Sequence, residues 1–239
     1  KREIITFTKN AMVKKSYLED FKVQRYSKPV MFIKLKDNDE VVDVTMDSYN
    51  EVFIATKSGY GLWYDRSEIP TIGLRTAGVK AINLKNDVVV SACVFDGNSE
   101  YVSVITRKGL AKRIKLSEFE KTTRAKRGLL LLREVKSNPQ EVIKVYVGDA
   151  KRNIVFNFDK EIKLTEIPIM DRYSTGSNIS KSKIDTVYEQ IELSKDNTEK
   201  KEDVSKPVTK EESKAKKEVS LKEIDDKFMT IDDFLDNFD

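Results

Sequence analysis

Histidine occurs nowhere in the 239 residues, and cysteine occurs once. The missing histidine removes the side chain most used as a general base near neutral pH and the commonest metal ligand. Cys93 stands in the apolar stretch VVVSACVF and reads as a small core residue, not as a nucleophile. One cysteine cannot close an internal disulfide, which points to a reducing cytoplasm. No apolar run approaches the ~18 residues of a membrane-spanning helix, so no membrane partner is expected. No phosphate-binding glycine-rich loop is present. The opening KREIITFTK has neither an initiator methionine nor a secretory signal and reads as part of a longer chain. Helical periodicity is missing before about residue 219. Together these absences predict no catalytic, cofactor-binding or metal-binding residues within the chain.

Charge and repetition are what remain. Charged residues make up 35% of the chain, but the net charge is only +4. Residues 1–193 hold 34 lysines and arginines against 26 acidic residues, a net of +8; residues 194–239 hold 10 against 14, a net of −4. The pattern is a basic body with an acidic tail.

The body repeats. EIITFTKNAMVKKSYLEDF from Glu3, EVFIATKSGYGLWYDRSEI from Glu51, EYVSVITRKGLAKRIKLSEF from Glu100 and RNIVFNFDKEIKLTEI from Arg152 each run as strand, tight turn, strand and a short closing motif. The closing residues Phe21, Ile69, Phe119 and Ile167 are 48, 50 and 48 residues apart. After each closure comes a basic turn with Pro or Gly, an apolar strand, a polar turn and another strand, fading in the last copy. About four strands in each ~50-residue unit fit a propeller blade. An ordinary antiparallel sandwich would also use short strands, but it does not require one closing motif at near-constant spacing.

The turns after closure carry Arg25, Arg75, Arg124 and Arg172, with Lys28, Lys80, Lys126 and Arg127 beside them. In radially arranged blades these turns reach the same edge of a disc. The third unit is the richest: residues 107–136, which include Lys112, Arg113 and Lys121, hold 11 basic against 3 acidic residues. A regularly spaced cationic edge suits duplex DNA, whose phosphates bind cations with counterion release and without base readout. Arg25, Lys28, Arg75, Lys80, Lys112, Arg113, Lys121, Arg124, Lys126, Arg127 and Arg172 are therefore the expected DNA-binding residues. Surface lysines that only keep a β protein soluble are the plainer explanation of any single one.

The stretches FTKNAMVKKSYLEDF, QRYSKPVMFIKLKDNDEVV, ATKSGYGLWYDRSEIP, GLRTAGVKAINLKNDVVVSA and TRKGLAKRIKLSEF resemble the C-terminal domain of the A subunit of bacterial type IIA topoisomerases, gyrase and topoisomerase IV. The resemblance spans roughly residues 3–180. It implies an all-β, propeller-like β-pinwheel of four-stranded blades that exchange strands and bend DNA on the perimeter. Blades are expected near 1–49, 50–98, 99–150 and 151–193. Gyrase A subunits carry a Gln-Arg-Arg-Gly-Gly-Lys-Gly box for DNA wrapping. The nearest stretches here, Gln24–Pro29 and Thr123–Gly128, lack its paired glycines, which favours topoisomerase IV, with a gyrase-type wrapping domain as the alternative. The implied partners are double-stranded DNA, the ATPase B subunit and the rest of the A subunit. ATP and Mg2+ would be used elsewhere in the holoenzyme, and the location would be a bacterial cytoplasm. A propeller serving as a protein-interaction platform is the reading from another class, though no Trp-Asp dipeptide marks the units.

The tail divides in two. Residues 194–217 are mixed in charge and nearly free of large apolar side chains, the composition of a disordered linker. Residues 218–239 hold 8 acidic against 2 basic residues, with Leu221, Ile224, Phe228, Ile231 and Leu235 at helical spacing, and are expected to form an acidic tail with a short helix.

Overall fold

One threonine organises each of the first three hairpins. The hydroxyls of Thr8, Thr56 and Thr106, all buried, accept the backbone N–H of Met12, Tyr60 and Leu110 at 3.0, 3.0 and 3.1 Å. Between them the chain turns through a left-handed residue, Ala11, Gly59 or Gly109. This explains the recurring Thr-Lys/Arg-x-Gly/Ala: the threonine satisfies an N–H that the turn strands, and the last position needs positive φ.

The computed structural model describes residues 1–22, 27, 29–148 and 151–190. The expected linker and acidic tail lie outside the described residues. The strands are β1 (Glu3–Thr8), β2 (Met12–Tyr17), β3 (Val41–Thr45), β4 (Glu51–Thr56), β5 (Tyr60–Asp65), β6 (Val79–Lys80), β7 (Val89–Phe95), β8 (Tyr101–Thr106), β9 (Leu110–Lys115), β10 (Leu129–Leu130), β11 (Val142–Val147), β12 (Asn153–Phe156), β13 (Lys160–Lys163), β14 (Ser177–Asn178) and β15 (Val187–Gln190). Each closing motif is a single 3-10 turn: Leu18–Phe21, Arg66–Glu68, Leu116–Glu118 and Leu164–Glu166. Among the described residues there is no α-helix.

The strands form four antiparallel blades, ordered β3-β1-β2-β6, β10-β5-β4-β7, β11-β8-β9-β14 and β13-β12-β15. Blades and repeats therefore do not coincide. The hairpin and return strand of a blade come from one repeat, but its last strand comes from the next: β6 pairs with β2, β10 with β5 and β14 with β9. The fourth blade has three strands among the described residues. The strand exchange agrees with the resemblance, and it moves the strand that each contiguous repeat was expected to keep into the preceding blade.

The return strands β3, β7 and β11 pack against one another, so they are the inner strands and the exchanged strands are the outer ones. Apolar side chains fill the layers between neighbours. Ile5, Phe7 and Val13 meet Val52, Leu62, Tyr64 and Ile82 between the first two blades; Phe53 meets Val104, Phe119 and Leu131 between the next two. Ile105 meets Ile154, Phe156 and Ile184 between the last two. Each fully buried aliphatic or aromatic side chain contributes about 1.5–3 kcal/mol, so the exchanged strands and these layers make the blades one cooperative body. Cys93 lies in β7, partly buried against the second core layer, where burial pushes its thiol up to about 12.

Candidate nucleic-acid interface

The segment joining each closing turn to its exchanged strand crosses from one blade to the outer edge of the one before. We call these segments crossovers: Thr71–Gly78, Thr122–Gly128 and Ile169–Gly176. Each starts beside the second hairpin strand of the preceding blade, with Thr71 bridging Lys15, Thr122 bridging Tyr64 and Ile169 bridging Arg113 in parallel. Each ends on a glycine with φ of 92°, 81° or 95° immediately before β6, β10 or β14.

A carboxylate of the closing motif receives two of these crossovers. Glu68 Oε2 accepts the Arg124 N–H at 2.7 Å, and Glu118 Oε2 accepts the Arg172 N–H at 2.8 Å. Neighbouring crossover regions also bond to each other, through Lys34 N–H to Thr76 O, Asn83 N–H to Lys126 O, Ala125 N–H to Ala81 O and Arg133 N–H to Ser174 O. The outer edge is thus a continuous hydrogen-bonded belt.

The expected cations fall into three groups on this belt. Arg75, Lys80 and Lys126 are exposed. Among the described residues none of the three has a carboxylate partner; Lys80 Nζ reaches only Asn83 Oδ1, at 3.4 Å. Arg124, Arg127 and Arg172 are half-buried and pinned. Arg124 donates from Nε to Glu68 O at 3.1 Å and from Nη1 to Lys80 O. Arg127 lies 3.8 Å over the Tyr60 ring and donates to Asn83 O and Leu84 O. Arg172 donates to Leu130 O at 3.2 Å and lies against the Phe119 and Tyr173 rings, with Tyr173 exposed.

In the third group the structure departs from expectation. Lys112 is fully buried in β9, where its Nζ donates to Asp171 O, Arg172 O and Ser174 O at 2.8, 3.0 and 2.8 Å. An ammonium so enclosed cannot reach a phosphate. Burial lowers its pKa to about 8, with Asp171 and Glu118 opposing that shift. Lys121 ion-pairs with Glu51 and Asp65 at 2.8 and 3.0 Å. Arg113 donates to Ile167 O and Thr165 O and covers Tyr101. Arg25 and Lys28 lie outside the described residues. The sequence reading missed Lys14, whose Nζ donates to Gly73 O and Leu74 O at 3.1 and 2.7 Å. Its place three residues into β2, matching Lys112 in β9, was the available signal.

Cations at the hairpin tips contrast with those on the belt. Lys9 pairs with Glu40 at 3.1 Å, Lys57 with Glu141 at 3.1 Å, and Arg107 with Glu141 and Asp185 at 3.3 and 2.8 Å. Lys9, Lys57 and Arg107 are neutralised within the fold, whereas Lys108 at the third tip, exposed, reaches only Asn138 Oδ1 at 2.8 Å among the described residues; Arg75, Lys80 and Lys126 on the crossover edge have no carboxylate partner there.

Residues 2–46, 50–94 and 100–148 match the family described as DNA gyrase C-terminal domain, beta-propeller. The chain belongs to that family. Within it the resemblance runs toward topoisomerase IV. The chain is 42% identical to the A subunit of DNA topoisomerase 4 from Bacillus subtilis (strain 168) over 179 residues, covering 73% of this chain and 22% of the relative. It is 35% identical over 180 residues to the same subunit of Staphylococcus aureus (strain MSSA476), covering 72% and 22%. It thus spans about a fifth of the length of these relatives. A crystal structure of the C-terminal domain of DNA topoisomerase IV superposes with a TM-score of 0.74 at 40% identity, covering 79% of this chain and 61% of that one. A DNA gyrase A C-terminal domain shares the fold, with a TM-score of 0.68 at 16% identity, covering 79% and 66%. In this gyrase-family domain the crossovers recur with their glycine while the cations around them vary in use.

Proposed function

We propose that the chain binds duplex DNA without sequence preference along its crossover edge and bends it. In this reading it presents a DNA segment to the breakage machinery of a type IIA topoisomerase of the topoisomerase IV kind. The observation that carries the proposal is the division between the two sets of turn cations. Arg75, Lys80 and Lys126 stand exposed on the outer edge without a carboxylate partner among the described residues, while Lys9, Lys57 and Arg107 at the hairpin tips are ion-paired.

Electrostatics favours that edge for a polyanion. An unpaired exposed cation releases a phosphate counterion when it binds, whereas an ion-paired one must first give up its carboxylate. The interface is built from loops and two-residue strands, with no helix to enter a major groove, so affinity comes from the phosphate backbone and not from bases. An outer edge with exposed cations on two successive crossovers engages more phosphates when the duplex follows it, and those further phosphates offset the energy of bending.

The remaining parts of the reading concern the longer protein. The chain would act as one domain of the A subunit, in which strand cleavage takes place elsewhere. ATP and Mg2+ would be used with the B subunit, in a bacterial cytoplasm. Energy transfer between dyes at the two ends of a short random-sequence duplex tests the bending. Binding should bring the ends closer. Binding with the end-to-end distance of free DNA would remove bending from the proposal, and no binding at low salt would remove the proposal itself.

A further inference from the structure

One position in the hairpins takes two kinds of side chain. Lys14, Leu62, Lys112 and Ile162 are each the third residue of the second hairpin strand, opposite Thr6, Ile54, Val104 and Ile154. All four are buried. The crossover landing on each of the first three blades differs accordingly. Over Lys14, the ammonium takes the carbonyls of Gly73 and Leu74, the two residues directly before Arg75, and Arg75 is exposed with no partner among the described residues. Over Lys112, the ammonium takes the carbonyls on both sides of Tyr173 and the Ser174 hydroxyl, but Arg172, the one cation of that crossover, is itself held by Leu130 O and the Phe119 and Tyr173 rings. Over Leu62 no such donor exists. There the crossover's own Arg124 and Arg127 turn back to grip the carbonyls of Glu68, Lys80, Asn83 and Leu84.

We propose that Lys14 is a positioning residue for duplex binding: it fixes its crossover from beneath through the Gly73 and Leu74 carbonyl oxygens, which leaves Arg75 free to face phosphate. The assignment rests on the function proposed above. A peptide whose carbonyl is drawn inward has its plane fixed, and the next side chain is directed by the backbone instead of having to act as an anchor. Blade 2 shows the alternative, in which two guanidiniums are spent on holding the loop.

Fold stability does not account for these lysines. Leu62 and Ile162 show that an apolar side chain fills the same site. Asp171 and Arg172 of the crossover and Glu118 of the 3-10 turn are the charged groups around Lys112, and burial outweighs the two carboxylates to lower its pKa to about 8. The folded chain therefore holds fewer protons than the unfolded one between about pH 8 and the ordinary lysine value, and this lysine's contribution to stability rises with pH across that window. At pH 7 burial thus disfavours its charged form relative to the neutral amine.

The test uses the 239-residue chain with Lys14→Leu, Lys112→Leu, Arg75→Ala and the double variant Lys14→Leu/Arg75→Ala. Melting is followed at pH 7, and anisotropy reports binding of a random-sequence duplex across a salt series. Both leucine variants should melt at or above the wild-type temperature; Lys14→Leu should bind roughly 3- to 30-fold more weakly, whereas Lys112→Leu, whose crossover has no free cation, should bind close to wild type. Lys14→Leu should lower the slope of log K against log salt as Arg75→Ala does, and it should cost little more in the Arg75→Ala background. Wild-type affinity in Lys14→Leu, a loss in Lys112→Leu as large as that in Lys14→Leu, or a Lys14→Leu loss that simply adds to that of Arg75→Ala, would overturn the assignment. So would a large fall in melting temperature, which would make the lysines structural. A wild-type chain that binds no duplex would instead overturn the function on which the assignment rests.

Discussion

A β-carbon on Gly128 would stand 2.2 Å from the carbonyl oxygen of Gly61. Gly128 ends the TTRAKRG crossover with φ of 81°, and Gly78 repeats the relationship with the Val13 oxygen at 2.5 Å. The glycine is where the chain passes over a backbone carbonyl of the preceding blade as it enters the exchanged strand. Both the space and the backbone angle exclude a side chain there.

Gly128→Ala should therefore destabilise the domain by about 1–3 kcal/mol or more, read as a lower urea midpoint. Gly73→Ala is the control, because nothing lies within 4 Å of the β-carbon it would add. Equal midpoints for the two variants would contradict the strand-exchange account of Gly128.

Arg124 and Lys126 are two residues apart but should separate in experiment. Losing the Arg124 bonds to Glu68 O and Lys80 O should lower stability by roughly 1–3 kcal/mol in Arg124→Ala. Lys126 is exposed. Lys126→Ala should leave the melting temperature unchanged and weaken duplex binding. If the melting temperature falls for Lys126→Ala and not for Arg124→Ala, the roles given to them are reversed.

Much of this architecture was legible in the sequence. The hairpins announced themselves because Thr8, Thr56 and Thr106 with the left-handed turn residues impose one local solution, and the closing motifs recur at constant spacing. The exchanged strands were not legible from their own residues: Val79–Lys80, Leu129–Leu130 and Ser177–Asn178 are too short for any alternation to show, and their partners lie more than 60 residues earlier. The exposure of the candidate cations was half legible. Arg75 and Lys126 follow the simple rule that a loop cation is solvated. Lys112 falls outside it because it stands in β9 with its side chain turned inward, and Arg124 breaks it because its guanidinium reaches the Glu68 and Lys80 carbonyls outside its own loop.

Asp65 supplies a pH signature. Hydrogen bonds from Ser67, then the ion pair with Lys121, lower its pKa to about 2. A carboxyl with a depressed folded pKa stabilises above its unfolded value and loses that contribution as pH falls through the folded one. Asp65→Ala should thus melt below wild type at pH 7, by a small margin because the carboxylate is partly exposed to solvent. The gap should narrow as pH falls from about 4 toward 2. A gap independent of pH would show that the carboxylate's charge plays no part.

Which set of turn cations meets DNA is the central question, and one comparison answers it. Two triple variants remove the same formal charge: Arg75→Ala/Lys80→Ala/Lys126→Ala from the crossover edge, and Lys9→Ala/Lys57→Ala/Arg107→Ala from the ion-paired hairpin tips. Duplex affinity of each is measured by anisotropy across a salt series. For wild type, log K should fall linearly with log salt. The crossover triple should weaken binding strongly at low salt and flatten that slope, by up to about 0.9 for each phosphate no longer neutralised. The hairpin-tip triple should change both far less. Equal losses from the two triples, or a larger loss from the hairpin tips, would contradict the assignment of the crossover edge as the DNA interface.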